Sequence, residues 1–331
     1  MLDALACSYA VFIGSCPGRV GNSTAPYAVT LLRNLCDATT PNVLQVRRPP
    51  TSPPPGAAGV NFTVCVTPLN FRFNNYQQLV ETVEVNRLFG AGHFVFYNYS
   101  TGPFVRTFLD AYSRDGLVTV VPWPLPLTVD AWPPVDVAPD IHYFGQLAAL
   151  NDCLYRCLGR SKLLVFTDLD EILVPRAHDD WISMLDAVSS GYRPGPSGPF
   201  PGAYLVRSSF FRTDWPSDEE VPRTAVDRHL VTLTKTQRET KIYRWSDRSK
   251  LVVWTKAVQV VGVHDVLKLM PGVEKVLVDH PTALVHHYRL WFDDKKNPPL
   301  VDRSMHRFTD QVVRRVQARY SAFDSRTDLH A

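Results

Sequence analysis

Nowhere in the 331 residues does a Gly-x-Gly-x-x-Gly follow a strand-like run, and no Gly-Lys-Ser or Gly-Lys-Thr occurs at all. A dinucleotide-binding turn and a P-loop are both excluded, so any phosphate must be gripped by other means. Charge of one sign is also scarce: 35 Lys and Arg against 32 Asp and Glu leave a net +3, too little to point to nucleic acid as a partner. No apolar run reaches the roughly 18 residues that cross a bilayer, and Met1-Leu2-Asp3-Ala4 lacks the basic start of a signal peptide. Either the protein is soluble inside the cell, or an N-terminal anchor is missing from this chain. The six cysteines, Cys7, Cys16, Cys36, Cys65, Cys153 and Cys157, are too few and too scattered for a disulfide scaffold. Cys153 and Cys157 have no further Cys or His at zinc spacing and read as helix-face residues, with a few disulfides left open. Three sequons, at Asn22, Asn61 and Asn98, favour a secretory route weakly.

Proline, by contrast, is plentiful at 27 and clustered. Pro49 to Pro55, Pro122 to Pro139 and Pro194 to Pro201 cannot be helix interiors and divide the chain. Residues 1–60 show little pattern beyond a strand-like Ala10 to Ile13 and a short strand or helix over Tyr27 to Leu35. After them the pattern is regular. Asn61 to Thr67, His93 to Tyr97, Leu117 to Val121 and Lys162 to Thr167 read as strands. Between them Tyr76 to Phe89, a segment through Val105, Phe108, Leu109 and Tyr112, and about His142 to Leu158 read as helices. Strand-helix alternation of this kind predicts a mostly parallel sheet covered on both faces. Such sheets bind ligands beyond the carboxyl ends of their strands.

At one such end stands Lys162-Leu163-Leu164-Val165-Phe166-Thr167-Asp168-Leu169-Asp170-Glu171-Ile172-Leu173-Val174-Pro175. Side chains alternate across a strand, so Asp168 and Asp170 project on the same side while Leu169 turns away. Two convergent carboxylates call for a cation, and a hard one, Mn²⁺ or Mg²⁺, fits their oxygens and a substrate's phosphates. The second half is less periodic. It predicts a helix over Asp179 to Val188 and strands at Ala203 to Phe211, Leu251 to Trp254, Val258 to His264 and Ala283 to Leu290. Asp302 to Ala322 reads as a closing helix on which Arg303, Arg307, Arg314, Arg315 and Arg319 form a solvated face.

Several motifs in order, Val64 to Leu69, Tyr143 to Gln146 with Ala149 to Cys153, Phe166 to Pro175, Val261 to His264 and His286 to Arg289, resemble glycosyltransferase family 92. The match runs from about residue 60 to about 295. The resemblance implies an α/β fold of GT-A type, a Rossmann-like, mostly parallel sheet flanked by helices with a mixed-strand acceptor-side half. Residues 1–60 would be a poorly defined N-terminal region and proline-rich linker. Residues 61–331 would be the transferase domain, with 61–175 taking the nucleotide sugar and 176–331 the acceptor. It also implies an inverting, metal-dependent transfer of a hexose, typically from UDP-galactose, to a glycan in β linkage. The setting would be the lumen of the Golgi or secretory pathway, with membrane association only through an anchor not present in this chain.

On that resemblance Asp168, Asp170 and His264 are the expected metal ligands. Gln146, Asn151, Asp152, Arg156, Asp168, His287 and Arg289 are expected at the nucleotide sugar. Asp214, beside Trp215, is the expected base that takes the acceptor proton, with Asp218, Glu219 and Glu220 as alternatives. Two rivals stand beside this reading. Phe166 to Glu171 resembles the Asp-x-Asp-x-Thr signature of haloacid-dehalogenase phosphatases, although Ile172 stands in the Thr position. A transferase domain that binds glycan or partner without turnover is the other.

Overall fold

The computed structural model describes residues 28–30, 43–46, 59–129, 139–191, 198–290 and 298–327. The expected strand at Ala10 to Ile13, the sequon at Asn22 and the prolines of residues 49–55 lie outside them. Ala28–Thr30 (β1) and Val43–Gln45 (β2) pair antiparallel.

The chain then enters the main sheet. Val60–Leu69 (β3), Tyr76–Leu88 (α1), Ala91–Asn98 (β4), Pro103–Arg114 (α2), Val118–Pro122 (β5), Gln146–Arg156 (α3) and Ser161–Thr167 (β6) follow in order. β6, β3, β4 and β5 lie side by side and all parallel. They are buried on both faces, so their sequences run nearly continuously apolar. In β6 the alternation is visible: Leu163 and Val165 pack into one core layer, Leu164 and Phe166 into the other.

After β6 come Glu171–Pro175 (β7), Trp181–Gly191 (α4), Phe200–Val206 (β8) and Ser208–Arg212 (β9). Asp180 caps α4, its Oδ1 accepting from the Ser183 N–H at 2.8 Å. The short helices Arg223–Asp227 (α5) and Val231–Thr234 (α6) lead to Gln237–Arg238 (β10), Lys250–Trp254 (β11), Val258–Val261 (β12), Val266–Leu269 (β13), Val273–Val278 (β14), Ala283–Arg289 (β15) and Leu300–Val301 (β16). Thr309–Thr327 (α7) closes the chain against α1. The seven-stranded sheet has the order β14-β8-β11-β6-β3-β4-β5, with β11 the one strand antiparallel to its neighbours. A second, five-stranded sheet has the order β16-β10-β9-β15-β7. The architecture is the expected one, a mostly parallel central sheet flanked by helices.

Four sequence readings are corrected. The strand bearing the acid pair ends at Thr167, so Asp168, Leu169 and Asp170 form the turn into β7 rather than a strand extension. The expected strand Ala203 to Phe211 is two strands in two sheets, split at Arg207, whose guanidinium is held by the Tyr243 and Ile242 carbonyls. Strand Val258 to His264 stops at Val261. Cys153 is not merely a helix-face residue: it forms a disulfide with Cys65, tying α3 to β3 across a Cα–Cα distance of 6.1 Å.

Candidate active site

The turn Asp168 to Asp170 is fixed atom by atom. Its backbone is closed by the Glu171 N–H donating to the Asp168 carbonyl at 3.2 Å and by the Asp168 N–H donating to Glu171 Oε2 at 2.9 Å. The Leu169 carbonyl accepts from Thr82 Oγ1 of α1 at 2.8 Å, and the Asp170 carbonyl accepts from the Tyr288 N–H of β15 at 2.8 Å. Asp168 Oδ1 accepts from Thr67 Oγ1 at 2.7 Å and from Gln146 Nε2 at 3.4 Å. The turn therefore touches both sheets, α1 and the start of α3.

Beneath it lies a buried ionic core that the motif alone does not disclose. Leu251 pairs with Phe166 in antiparallel register, which sets Lys250 beside the end of β6. Its ammonium, with a side chain 2% exposed, lies 3.0 Å from Asp168 Oδ2 and 2.8 Å from Glu171 Oε2. From the other sheet His287, opposite Glu171 in register, places Nδ1 3.1 Å from Glu171 Oε1 and Nε2 3.2 Å from Asp170 Oδ2. The Nδ1 approach lacks hydrogen-bond geometry, so its attraction is that of charges.

The electrostatics follow from this packing. Burial lowers the basicity of His287, yet Glu171 and Asp170 outweigh it and push its pKa up to about 9. Burial would raise the Glu171 carboxyl, but Lys250 and His287 hold it well below the usual range. Burial raises Asp168, with Lys250 opposing. Lys250 itself is held well above its ordinary value, because Asp168 and Glu171 overcome its burial.

Around the turn stand further groups. Tyr143, Phe144 and Gly145 take φ of 45°, 57° and 65°, three left-handed residues in succession before α3. Non-glycine residues held this way cost about 1–3 kcal/mol each. The conformation brings Tyr143 near the acids: burial first, then Asp168 and Asp170, raise its phenol pKa. Arg289 acts on the same phenol and lies 5.9 Å from the Phe210 ring, which packs on His287 at 4.9 Å.

The structure thus brings Asp168, Asp170, Gln146, His287 and Arg289 together. It treats the other expected residues differently. His264 sits beyond the end of β12, within electrostatic reach of Lys250 and Glu171 and with Nδ1 3.3 Å from the Ser249 carbonyl; burial and then Lys250 lower its pKa to about 4, and nothing in this arrangement decides for or against a role as metal ligand. Asn151 is buried and spends its amide on the Leu147 carbonyl and on both backbone groups of Val261, anchoring β12 to α3. Asp152 and Arg156 form their helix pair at 2.9 Å, and Asp152 also accepts from Tyr97 at 2.7 Å. Asp214 meets the Arg212 guanidinium with both oxygens, each at 2.9 Å, and Trp215 lies against the same guanidinium at 5.2 Å. Asp218 is tied to Arg303 at 2.7 Å, which holds its pKa down at about 2.

Sequence reasoning missed Lys250, Thr67, Tyr143 and Tyr97. A signal existed for Lys250: a lysine opening the apolar run Leu251 to Trp254 enters a core only with a partner. Among the described residues no group of three or more His, Cys, Asp and Glu side chains is arranged to hold a metal ion. The Asp168 and Asp170 side chains, 27% and 31% exposed, do reach solvent. That donor set, two hard oxygens at an open edge, fits Mg²⁺ or Mn²⁺ sharing its shell with a phosphate, not a closed protein cage.

Residues 60–323 match the sequence profile of Glycosyltransferase family 92. The chain belongs to this family. Among curated relatives, a glycosyltransferase family 92 protein of Caenorhabditis elegans is 28% identical over 150 residues, 43% of this chain and 28% of that protein. A second from the same organism is 29% identical over 122 residues, 36% of this chain and 24% of its own length. A beta-1,4-galactosyltransferase of that organism is 31% identical over 116 residues, 34% of this chain and 25% of its own. The chain thus aligns with about a quarter of the length of these relatives. Among solved structures, glucosyl-3-phosphoglycerate synthase of Mycobacterium tuberculosis is 16% identical, with 62% of this chain and 63% of that one covered, at a TM-score of 0.27. A mycobacterial protein is 14% identical, covering 81% and 76%, at 0.28. Superpositions this loose place no residue of the site. Family membership leaves the phosphatase reading without support.

Proposed function

We propose that this chain is a metal-dependent glycosyltransferase that moves a hexose, galactose in our reading, from a uridine-diphosphate sugar to a hydroxyl of a glycan with inversion to a β linkage. The observation that carries the proposal is the acid turn itself. Two carboxylates stand open at the carboxyl end of a parallel strand, where open α/β sheets bind ligands, and Lys250, Glu171 and His287 lock them from below. Galactose is supported by one relative, a beta-1,4-galactosyltransferase 31% identical over 116 residues.

Asp170 and Asp168 would hold the divalent cation, which when bound neutralises charge on the departing diphosphate. Arg289, at the end of β15, adds a guanidinium to meet the same phosphates. Thr67 and Gln146 hold Asp168 in one orientation, and His287 does the same for Asp170, so the carboxylates are placed before substrate arrives. Asp214 serves as base only by yielding one oxygen from Arg212 to the acceptor hydroxyl. The disulfide Cys65–Cys153 supports an oxidising compartment, in keeping with a secretory lumen. No helix among the described residues is long and apolar enough to cross a membrane.

Titration calorimetry of UDP with and without Mn²⁺, on the wild type and on Asp170→Ala, tests the proposal. UDP should bind only with the metal, and the substitution should abolish binding, while Asp214→Asn keeps UDP affinity and loses transfer. Failure of UDP to bind folded wild-type protein under every metal condition would refute it.

A further inference from the structure

Beside the acid turn, with Leu169 and Asp170 in its wall, lies an open cavity of about 1100 Å³. The first turns of α1 form one wall with Asn75, Gln77 and Gln78; Thr213 faces them, His229 lines it too, and Asp170 opens onto its edge. Its size is slightly above the ~300–1,000 Å³ usual for small-molecule sites, room for more than one sugar ring.

The chemistry of the lining is selective. Glu81 contributes a carboxylate, but that group is spent: it accepts from the Val231 N–H at 3.0 Å, the Thr232 N–H at 2.7 Å and Thr232 Oγ1 at 2.6 Å. Asp170 and Arg289 belong to the acid turn at the edge. What remains of the lining is amide, hydroxyl and imidazole beside the aliphatic Ile172, Val231 and Leu290. The Gln77 and Gln78 carboxamides are half-buried and make no hydrogen bond to protein among the described residues. Half-buried carboxamides with no protein partner offer donors and acceptors to whatever enters the cavity. His229 holds φ at 53°, a strained conformation for a residue with a β-carbon, and strain of this kind collects at ligand sites.

We infer that this cavity is the acceptor site, and that it takes the end of a neutral oligosaccharide of at least two sugar units, with Gln77 and Gln78 reading its hydroxyls. Paired donors and acceptors with aliphatic patches match a sugar's hydroxyls and C–H faces. An acidic glycan would be repelled by Asp170 at the edge and would find Arg289 as the one guanidinium or ammonium in the lining. The inference rests on the transferase reading and adds where the second substrate sits.

The test is ligand-observed saturation-transfer NMR on the full chain with a panel of neutral and acidic di- to tetrasaccharides, alongside UDP titration. Neutral oligosaccharides should bind the wild type. In Gln77→Ala/Gln78→Ala their affinity should fall about tenfold or more, the worth of two hydrogen bonds, with UDP affinity and melting temperature unchanged. The inference is overturned if no neutral oligosaccharide binds, if acidic ones alone bind, if the variant binds them as well as the wild type does, or if it loses UDP in parallel. Loss of UDP binding in the wild type would instead sink the transferase reading, and the oligosaccharide arm would still judge the cavity.

Discussion

Replacing Lys250 by Met keeps the length of the side chain and removes its charge, which isolates the ionic core beneath the acid turn. Lys250 is the ammonium between Asp168 at 3.0 Å and Glu171 at 2.8 Å, and the Glu171 side chain is 1% exposed. Deleting one partner of a buried pair costs about 3–5 kcal/mol, because the other charge is left unpaired. Asp168 is 27% exposed, so water screens part of its loss, and the lower end, about 3 kcal/mol, is the expected value. At about 2 °C per kcal/mol for a domain of this size, that is a fall of roughly 6 °C in melting temperature. The pH dependence carries the sign of the argument. In the wild type Glu171 is held below its ordinary pKa, so its stabilisation is present above that value and lost as pH falls. Without Lys250 only His287 is left to oppose the burial of Glu171, and the burial of Asp168 loses its main opponent, so the folded-state pKa values rise and the deficit should be largest near pH 7 and shrink towards pH 5. Differential scanning calorimetry at the two pH values measures both quantities. A variant within about 2 °C of wild type at pH 7, or a deficit that grows on acidification, would refute the reasoning.

Two more expectations follow from the packing. The disulfide Cys65–Cys153 spans 88 residues, and its loss in Cys153→Ala should lower unfolding free energy by about 2–4 kcal/mol, with reductant destabilising the wild type but not the variant; equal sensitivity of both to dithiothreitol would count against the bond. Burial raises the Glu81 carboxyl to about 7 against its three donors, so its favourable contribution is present below its unfolded value near 4.5 and lost as pH rises through 7. Over that interval the cost is roughly 3 kcal/mol, and Glu81→Gln should flatten the stability profile between pH 5 and 8; an unaltered slope in urea unfolding would show that the Val231 and Thr232 donors hold the carboxylate ionised.

The parallel half of the fold was legible because its signals are local. β3, β4, β5 and β6 are apolar runs separated by amphipathic helices, and each observed element overlaps the expected one within a few residues. The mixed half was not, for reasons visible at particular residues. Ala203 to Phe211 is one apolar run, yet Arg207 in its middle binds two carbonyls and turns the chain from one sheet to the other. The left-handed Tyr143 and Phe144 are not glycines, and the Gly145 that follows them marks only the end of the run; they are held by neighbours such as Phe71, whose ring meets Phe144 at 5.2 Å.

The same division runs through the site. Asp168 and Asp170 declared themselves because two acids after a buried strand are a local pattern. Their support is not local: Lys250 is 82 residues from Asp168, and His287 comes from a strand in the other sheet. The one antiparallel strand of the main sheet, β11, delivers the lysine, and the pairing of β15 with β7 delivers the imidazole. Those registers cannot be read from the acid motif, yet they decide what the motif can do. A bare pair of aspartates would repel and swing apart until a cation arrived. Here two cationic side chains beside Glu171 offset two of the cluster's three carboxylates and fix the turn in advance, leaving the solvent-facing edges of Asp168 and Asp170 for a cation. Cation affinity and structural stability should therefore separate: an Asp170→Ala chain keeps the Lys250–Glu171–His287 core and should fold, whereas Lys250→Met weakens the platform on which both aspartates stand.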